Sequence, residues 1–539
     1  MSARAYTAAL VSAFALVVAL QCFGLLALQP HDDAWFFKRF ALNFLAGDGM
    51  AWNAEDGPVY GNTSQLYQLV AIALTWMAED YYIFGVRLVL SAALVGAAAV
   101  MIRLAGRYGT HGHAAPVLLL CSPVVLFTIP SGMETALAIF AIASFLLLLR
   151  SERALTGAGR LMVPGGMVVV YLLRPDAVVL VGLAWAWDRL VIRRVFPWQE
   201  AGAFVLLLAV VLLAMNAYYG TALPLSFYLK SGSLSVYSES FIEISREGKV
   251  RNIALFFTTV LPILYVALQR PDRRNIGLLL AGGAFVAYHY ASTVEVMGMY
   301  ARFYAPAIPV LAAAALPAFG AFCSRRRLPV HVVFFVAYTL FVVFLVRRDA
   351  LPDDTLWIIE RLPPELYVGY GLGAWLLLVS AIGWTRIGSL SIIAASAVSV
   401  WVAHPERSFR APSDADYMEA QLEHRSGFRE IDRLPRCLGE EISIYHSEIG
   451  LPGVKLPQGH ITDLAGLMTR EFAFGDKSFD EYCLEDEPEA IYLPHRNYDW
   501  LNQEIRESQC LRGFTEVRSD TSSPLYIRDD LLARYRRCP

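Results

Sequence analysis

Charged residues stand where long apolar segments of this chain end, and their types suit chemistry on an anionic substrate. The acidic pair Asp32–Asp33 directly follows the first apolar segment, and Glu134 begins a later one. Arg174 and Lys230 lie beyond the ends of two more. A carboxylate can take a hydroxyl proton or stabilise a sugar cation, whereas arginine and lysine bind phosphate. Ionisable groups at membrane depth are costly unless they are paired or face water, so this set is a functional candidate.

Each of these residues also has a structural explanation. One acidic residue of the pair could cap the helix predicted over 34–45, and Glu134 could charge the first turn of its own helix. Arg174 could reach lipid headgroups or pair with Asp176. Taken together, the residues favour sugar transfer from a phosphorylated lipid carrier, with Arg302 as a further phosphate-binding group. Histidine and aromatic residues at the same level are expected to shape the substrate pocket: His31, Trp35, Tyr218, Tyr219, Tyr228 and His289.

Motifs of other enzyme classes are missing from the sequence. It contains no G-x-x-x-x-G-K-[ST], H-E-x-x-H or G-x-S-x-G pattern, which disfavours a nucleotide-binding, zinc-protease or serine-hydrolase function. No metal site and no cofactor is predicted, and a divalent metal ion stays compatible with the sequence.

The composition indicates a membrane protein. The 539 residues are 56% hydrophobic and 17% charged, with a mean hydropathy of +0.46, whereas soluble proteins carry about 25% charged residues. A net charge of -3 disfavours a disordered or nucleic-acid-binding chain. Apolar runs of spanning length predict a multi-spanning α-helical body over residues 1–403, with about 13 spans. They lie at 8–28, 83–104, 115–129, 133–149, 161–173, 177–192, 200–217, 252–268, 276–293, 304–322, 329–346, 367–383 and 387–403.

Arginine placement gives the predicted orientation. With the N-terminus inside, dense arginine clusters such as Arg325–Arg327 fall on the cytoplasmic side, as the positive-inside rule requires. An odd number of spans then leaves the C-terminal part in the periplasm of a bacterial inner membrane. Residues 30–78 form the first external loop, in which the short apolar segment 64–76 is expected to be an interfacial or re-entrant helix. The candidate site lies on this external face.

Residues 404–539 have the composition of a soluble domain. They carry 26 acidic and 17 basic residues, against 22 acidic and 28 basic in residues 1–403. A helix over 417–434 and strands at 441–445 and 490–493 predict a small α/β domain. Four of the seven cysteines lie here, and an even number in an oxidising compartment predicts at least one disulfide. The candidates are Cys437, Cys483, Cys510 and Cys538, whereas Cys22, Cys121 and Cys323 are expected to pack in or beside spans.

Several segments resemble, in order and wording, the bacterial arabinofuranosyltransferases, which are GT-C glycosyltransferases. These segments are distributed, in this order, along most of the chain: 32–36, 47–53, 59–64, 131–136, 173–176, 218–230, 448–450 and 461–467. Tyr60, Asn62 and Leu225 depart from the strings of that family. The resemblance implies a GT-C fold and a polyprenyl-phosphate arabinofuranose donor. It also implies that Asp32 is the first choice for the essential carboxylate, with Asp33 beside it and Glu134 in support.

The leading hypothesis is a membrane glycosyltransferase that moves D-arabinofuranose from a polyprenyl-phosphate donor to a glycan or pilin-like protein outside the cytoplasm. The same fold could transfer another lipid-linked sugar, either a hexose or an aminosugar. A lipid-linked sugar flippase is the alternative from a different class. Transporters place polar groups near the bilayer midplane and often show two repeated halves, and neither feature is seen here. The sequence leaves open the acceptor and whether the reaction inverts or retains configuration.

Overall fold

The structure, a computed structural model, describes residues 30–106, 123–126, 128–151, 157–230, 239–292, 301–318, 333, 412–424, 430–474, 477–494, 499–518 and 524–538. The predicted spans at 8–28, 367–383 and 387–403 lie outside these residues, as do the span at 329–346 apart from residue 333 and most of the span at 115–129. Cys22, Cys121 and Cys323 also lie outside them.

Apolar helices make up most of the described residues from 30 to 318. They are α1 (Asp33–Ala46), α2 (Gln65–Ala78), α3 (Tyr82–Ala105), α4 (Thr135–Leu149), α5 (Met162–Leu173), α6 (Ala177–Trp187), α7 (Trp198–Tyr219), α8 (Leu225–Lys230), α9 (Glu239–Leu268), α10 (Arg273–Ser292) and α11 (Ile308–Ala315). Short helical turns join or extend them at Ala54–Asp56, Glu79–Tyr81, Pro123–Leu126, Gly157–Leu161, Asp188–Ile192, Ala305–Ala307 and Leu316–Ala318. Every span predicted between 133 and 318 falls on one of these helices or on a helix with its adjoining turn.

Two helical stretches of the described residues have both the length and the apolar character of a membrane span. They are Gln65–Ala105 and Trp198–Tyr219, each with a mean hydropathy of 2.2. The first stretch joins the predicted interfacial segment to the first following span through the single turn Glu79–Tyr81, so no loop separates them. Shorter apolar helices occur at Thr135–Leu149, Gly159–Leu173 and Ala305–Ala318. The count of 13 spans and their orientation stay predictions.

The C-terminal domain, residues 412–538, is a small α/β unit around a five-stranded mixed sheet with strand order β2-β1-β3-β5-β4. Strand β1 pairs in parallel with β2 and β3, and β5 pairs antiparallel with β3 and β4. The strands are β1 (Ser443–His446), β2 (His460–Asp463), β3 (Ala490–Tyr492), β4 (Phe514–Arg518) and β5 (Leu525–Arg528). The helices are α12 (Asp414–His424), α13 (Arg433–Leu438), α14 (Gly450–Lys455), α15 (Arg470–Phe474), α16 (Phe479–Asp486), α17 (Asp499–Glu507) and α18 (Asp529–Arg537), with a turn at Cys510–Gly513.

Most sequence predictions for this domain match the structure. The expected strands correspond to β1 and β3, and two disulfides join Cys437 to Cys538 and Cys483 to Cys510, which confirms the disulfide prediction. The single helix predicted over 417–434 is wrong in extent, because α12 ends at His424 and α13 begins at Arg433. Pro435 gives a reason, since proline has no backbone N–H and is tolerated in the first turn of a helix but not in its interior.

Helix α1 joins the two parts of the protein. The Arg39 guanidinium is 2% exposed and donates to the carbonyls of Gly453, Leu456 and Gly459 in the C-terminal domain, each at 2.8 Å. The Lys38 ammonium donates to the Asp414 carboxylate at 2.8 Å. Buried apolar side chains form one continuous cluster from the helices of residues 30–318 into the C-terminal sheet. The C-terminal domain is therefore packed directly on the segment of residues 30–78.

Candidate active site

The two adjacent acids at the start of α1 have different partners. Asp32 is 3% exposed, and its carboxylate accepts from the backbone N–H groups of Gly450 at 2.7 Å and Leu451 at 2.9 Å. The Asp33 side chain is 20% exposed, and its Oδ2 lies 3.4 Å from Nη2 of Arg302. The proposed capping role does not apply to Asp32, because its side chain makes no capping hydrogen bond to α1. Asp33 is therefore the more accessible carboxylate of the pair.

Arg174 lies in a dense set of acceptors. Helix α5 ends before it because Pro175 keeps the preceding residue extended, with φ -159° and ψ 99° at Arg174. The Arg174 Nε donates to both carboxylate oxygens of Asp176 at 3.1 Å, and Nη1 donates to Thr135 Oγ1 at 3.2 Å. The same Nη1 lies 3.5 Å from Glu134 Oε1. Two carboxylates already offset the charge of Arg174, so it is held firmly in one orientation.

His289 joins this set through Asp176. Its Nε2 lies 2.7 Å from Asp176 Oδ2, and its side chain is 4% exposed. Burial alone would raise the pKa of Asp176, but the charges of Arg174 and His289 overcome this effect and hold the pKa below its usual range. Asp176 is therefore ionised at neutral pH and serves as the counter-ion of the cluster.

Arg302 has fewer hydrogen-bond partners than Arg174 among the described residues. It is 8% exposed, and its Nε and Nη1 have no hydrogen-bond partner within the part of the chain that the structure describes. The Phe303 ring packs against both guanidinium groups, 5.2 Å from Arg302 and 5.4 Å from Arg174, and against the His289 ring at 6.0 Å. Two guanidinium groups around one ring form a cationic centre beside Asp33.

The backbone before Arg302 is strained. Ala301 is fully buried and has a φ of 59°, in the left-handed region that costs a non-glycine residue roughly 1–2 kcal/mol. Its N–H donates to Asn252 Oδ1 at 3.4 Å, which ties this turn to helix α9. Strain of this kind persists where the surrounding structure holds a functional side chain in place. In this structure the strained residue directly precedes Arg302.

The predicted aromatic residues form a group between the first loop and the end of α7. The Tyr219 ring stacks on Tyr60 at 4.8 Å, and its hydroxyl donates to Gln65 Oε1 at 3.0 Å. Tyr218 is 47% exposed, and its hydroxyl accepts from the Met50 N–H at 3.0 Å. Gly49 is required beside it, since a Cβ there would lie 2.8 Å from that hydroxyl. The exposed Tyr218 ring provides a face on which a sugar or a prenyl chain can pack.

The remaining predicted pocket residues are divided between packing and the site. Trp35 is fully buried and donates to Gln421 Oε1 at 2.8 Å, so it packs between α1 and the C-terminal domain and does not line a pocket. His31 is 7% exposed, and its backbone N–H donates to the Ser131 carbonyl at 3.0 Å. Tyr228 packs against Phe474 at 5.1 Å. Lys230 ends α8, and its side chain lies outside the described residues.

Asp463 is a buried acid near this site that the sequence prediction did not include. It ends strand β2 and is fully buried, and its carboxylate accepts from the N–H groups of Ala465 at 2.9 Å and Met468 at 3.1 Å. Burial, with a smaller contribution from the charge of Asp33, raises its pKa to about 7 in spite of these hydrogen bonds. The string around it was noted in the sequence, but its proximity to the acidic pair depends on how the C-terminal domain docks.

The described residues show no metal site. No three His, Cys, Asp or Glu side chains among them come together in a way that could hold a metal ion. The candidate site described here consists of carboxylates, two arginines, a histidine and aromatic rings.

Solved structures of ArnT from Cupriavidus metallidurans are similar to this chain over nearly its whole length. The structure bound to undecaprenyl phosphate aligns with a TM-score of 0.57 and 15% identity over 96% of this chain and 97% of ArnT. The apo structure aligns with a TM-score of 0.61 and 14% identity over 98% and 99%. The chain has the ArnT fold. This confirms the predicted GT-C membrane architecture.

The likeness to ArnT concerns the fold, because at 14–15% identity it does not extend to the substrate. No protein-family model and no curated protein matches the sequence. The arabinofuranosyltransferase resemblance therefore still rests on the sequence strings alone.

Proposed function

We propose that this ArnT-like protein is a membrane glycosyltransferase that uses a polyprenyl-phosphate sugar as donor. The fold supports the donor class, since one of the similar ArnT structures is bound to undecaprenyl phosphate. The sequence strings support D-arabinofuranose as the sugar and a periplasmic glycan or pilin-like protein as the acceptor. A hexose or aminosugar donor is the second candidate, because the fold likeness is to ArnT and not to an arabinofuranosyltransferase.

The observation that carries the proposal is the state of Arg302. A buried guanidinium with two nitrogens that lack partners in the described part of the chain is costly unless an anion completes its hydrogen bonds. A phosphate supplies oxygens that arginine can grip in pairs. We therefore assign the donor phosphate first to Arg302. Arg174, which Glu134 and Asp176 already hold, adds positive potential beside the same Phe303 ring, and Lys230 remains a candidate third cation.

Asp33 is our choice for the catalytic carboxylate, in place of Asp32, which the sequence resemblance favoured. Both carboxylate oxygens of Asp32 accept hydrogen bonds from backbone N–H groups of the C-terminal domain, so its side chain lies in the interface between α1 and that domain. Asp33 is more exposed and stands 3.4 Å from the proposed phosphate-binding arginine. A base at this position can reach an acceptor while the donor phosphate lies on Arg302.

The proposed reaction is a single displacement. The acceptor hydroxyl oxygen bonds to the anomeric carbon of the sugar, the bond from that carbon to the phosphate oxygen breaks, and Asp33 takes the hydroxyl proton. The polyprenyl phosphate leaves with the bonding electron pair, and Arg302 and Arg174 stabilise its charge. A phosphate leaving group needs cations more than it needs a proton, which explains why arginines stand where a hydrolase would keep an acid. This mechanism predicts inversion at the anomeric carbon.

Donor binding and turnover test the assignment. Arg302→Gln should weaken binding of a polyprenyl-phosphate sugar by about ten- to a hundredfold, because a charge-assisted contact is worth roughly 1.5–3 kcal/mol. Arg160→Gln is the matched control, since Arg160 is an exposed arginine that donates to Gln199 and lies away from the site. Equal donor affinity in the two variants would refute the role of Arg302.

A panel of synthetic donors decides the sugar. Purified protein is given polyprenyl-phosphate-linked arabinofuranose, an aminosugar and a hexose, with turnover followed by release of polyprenyl phosphate. Transfer from arabinofuranose alone supports the finer proposal, and preference for another sugar selects the second candidate. Movement of the intact lipid across vesicles without release of polyprenyl phosphate would indicate a flippase and overturn the enzyme proposal.

A further inference from the structure

One face of helix α1 is attached to the C-terminal domain. Asp32, Trp35 and Arg39 are spaced by three and four residues, which places them along one side of a helix and its leading turn. The Asp32 carboxylate accepts from the backbone N–H groups of Gly450 and Leu451, and the Trp35 indole donates to Gln421. The Arg39 guanidinium donates to one carbonyl within α14 and to two in the segment that follows it. The C-terminal domain therefore contacts three successive positions of this face.

Asp33 is the next residue along the chain from Asp32 and points in a different direction. Successive residues of a helix are separated by about 100°, since a turn contains 3.6 residues. When the C-terminal domain fixes the Asp32 side of the helix, the same contact sets the direction of Asp33. In the observed orientation, Asp33 Oδ2 lies 3.4 Å from Arg302 Nη2.

The contact at Asp32 is tight enough to transmit a small displacement. Gly450 has no side chain, and a Cβ added to it would lie 1.9 Å from the Asp32 carbonyl oxygen and 2.8 Å from Asp32 Oδ2. Only glycine allows the two backbones to approach in this way. Any larger residue at position 450 must move α14 away from the start of α1.

We propose that Asp32 is a positioning residue through which docking of the C-terminal domain orients Asp33 for catalysis. The proposal rests on the proposed function, since it assigns Asp32 a role in the reaction that Asp33 performs. It gives the C-terminal domain a part in catalysis without requiring that domain to touch the donor.

The test uses the full-length purified protein and the variant Gly450→Ala, which changes no ionisable group. We expect kcat to fall by about 10–100-fold, because a misplacement of about 1 Å at a reacting group can cost a hundredfold. The KM for the donor lipid should stay near the wild-type value, since Arg302 and Arg174 lie on other elements. The control is Gly513→Ala in the same domain, where an added Cβ meets no atom within 4 Å.

A second variant keeps the test decisive if Gly450→Ala fails to fold. Asp32→Asn should lower kcat while the acidic limb of the pH–rate profile persists, because that limb belongs to Asp33. Asp33→Asn should abolish turnover. If Asp32→Asn removes the acidic limb, or if a folded Gly450→Ala protein has the kcat of Gly513→Ala, the positioning role is refuted.

The two proposals fail in different ways. Normal turnover by Asp33→Asn would overturn the catalytic assignment under the proposed function, whatever Gly450→Ala does. A severe loss in Asp33→Asn with normal kcat in Gly450→Ala would leave the glycosyltransferase proposal standing and refute only the positioning role.

Discussion

The Arg39 guanidinium offers the sharpest test of how the two parts of the protein are held together. Its five N–H groups all have partners, because Nε donates to the Trp52 carbonyl at 2.6 Å and Nη2 also donates to Asn53 Oδ1 at 3.0 Å, besides the three carbonyls of the C-terminal domain. The guanidinium also lies 4.8 Å from the centre of the Trp52 ring. Arg39→Met keeps much of the length of the side chain and removes every one of these hydrogen bonds.

The expected cost follows from the groups that the substitution leaves behind. The Trp52 and Leu456 carbonyls and Asn53 Oδ1 keep a second donor, from Asn43, Gly459 and Ile461 respectively. The Gly453 and Gly459 carbonyls lose the arginine without such a replacement among the described residues, and an unsatisfied buried acceptor costs about 1–3 kcal/mol. These costs do not add fully, because carbonyls can shift and water can enter. Two such acceptors, together with the lost packing of the guanidinium on Trp52, place the expected cost of Arg39→Met at about 3–5 kcal/mol.

Thermal unfolding of the detergent-solubilised protein measures this effect. A loss of this size should lower the unfolding temperature by roughly 10 °C, at about 2–4 °C for each kcal/mol in a domain of 150–250 residues. The control is Arg528→Met, whose side chain is 28% exposed and pairs with Asp530 at the surface, where such pairs are worth about 1 kcal/mol or less. Equal shifts in the two variants would show that Arg39 is not a main attachment of the C-terminal domain.

Three further predictions concern the C-terminal domain and the topology. The folded pKa of Asp463 is about 7 against an ordinary value of 3.8, so its stabilising contribution is complete below about pH 4 and is lost as the pH rises through 7. The free energy of unfolding of the wild type, relative to that of Asp463→Asn, should therefore decrease from pH 5 to pH 8. A difference that stays constant over this range would contradict the raised pKa. Reduction of Cys437–Cys538 should lower domain stability by about 2–5 kcal/mol, with free thiols counted by mass spectrometry; four free thiols in protein purified without reductant would contradict the pairing. Reporter fusions at Arg410 and Arg326 should report opposite sides of the membrane, and the same side for both would refute the orientation.

The helices could be predicted from the sequence because long apolar runs leave few alternatives. The run ending at Tyr219 is followed by Gly220, whose φ of 73° ends α7 in the left-handed conformation that glycine adopts without cost. The contact between Arg174 and Asp176 was also foreseeable, because only Pro175 separates them in the chain and both must find partners at membrane depth. Helix ends and contacts between near neighbours in the chain depend on the local sequence, so the sequence alone can predict them.

The interface between helix α1 and the C-terminal domain could not be predicted in the same way. Asp32 and Gly450 are 418 positions apart, and no periodicity relates them. The sequence did contain one signal, which is that Lys38 and Arg39 interrupt an apolar helix. Buried charges are found where they are paired or fully hydrogen-bonded, so this pair indicates a contact with another part of the chain. Only the structure shows that the contact is the C-terminal domain.

The acidic pair shows why a sequence string can locate a site without assigning the role of each residue in it. Asp32 and Asp33 have the same chemistry and neighbouring positions, so composition and spacing cannot distinguish them. The structure separates them by their partners, since Asp32 accepts two backbone N–H groups and Asp33 faces an arginine. A carboxylate whose two oxygens both accept hydrogen bonds, as in Asp32, is suited to stabilising an interface. Asp33 lies beside an arginine that lacks some of its hydrogen-bond partners among the described residues, and this arginine can bind a phosphate while Asp33 takes part in the reaction. Under our two proposals, the Asp32–Asp33 string contains both the catalytic residue and the residue that orients it.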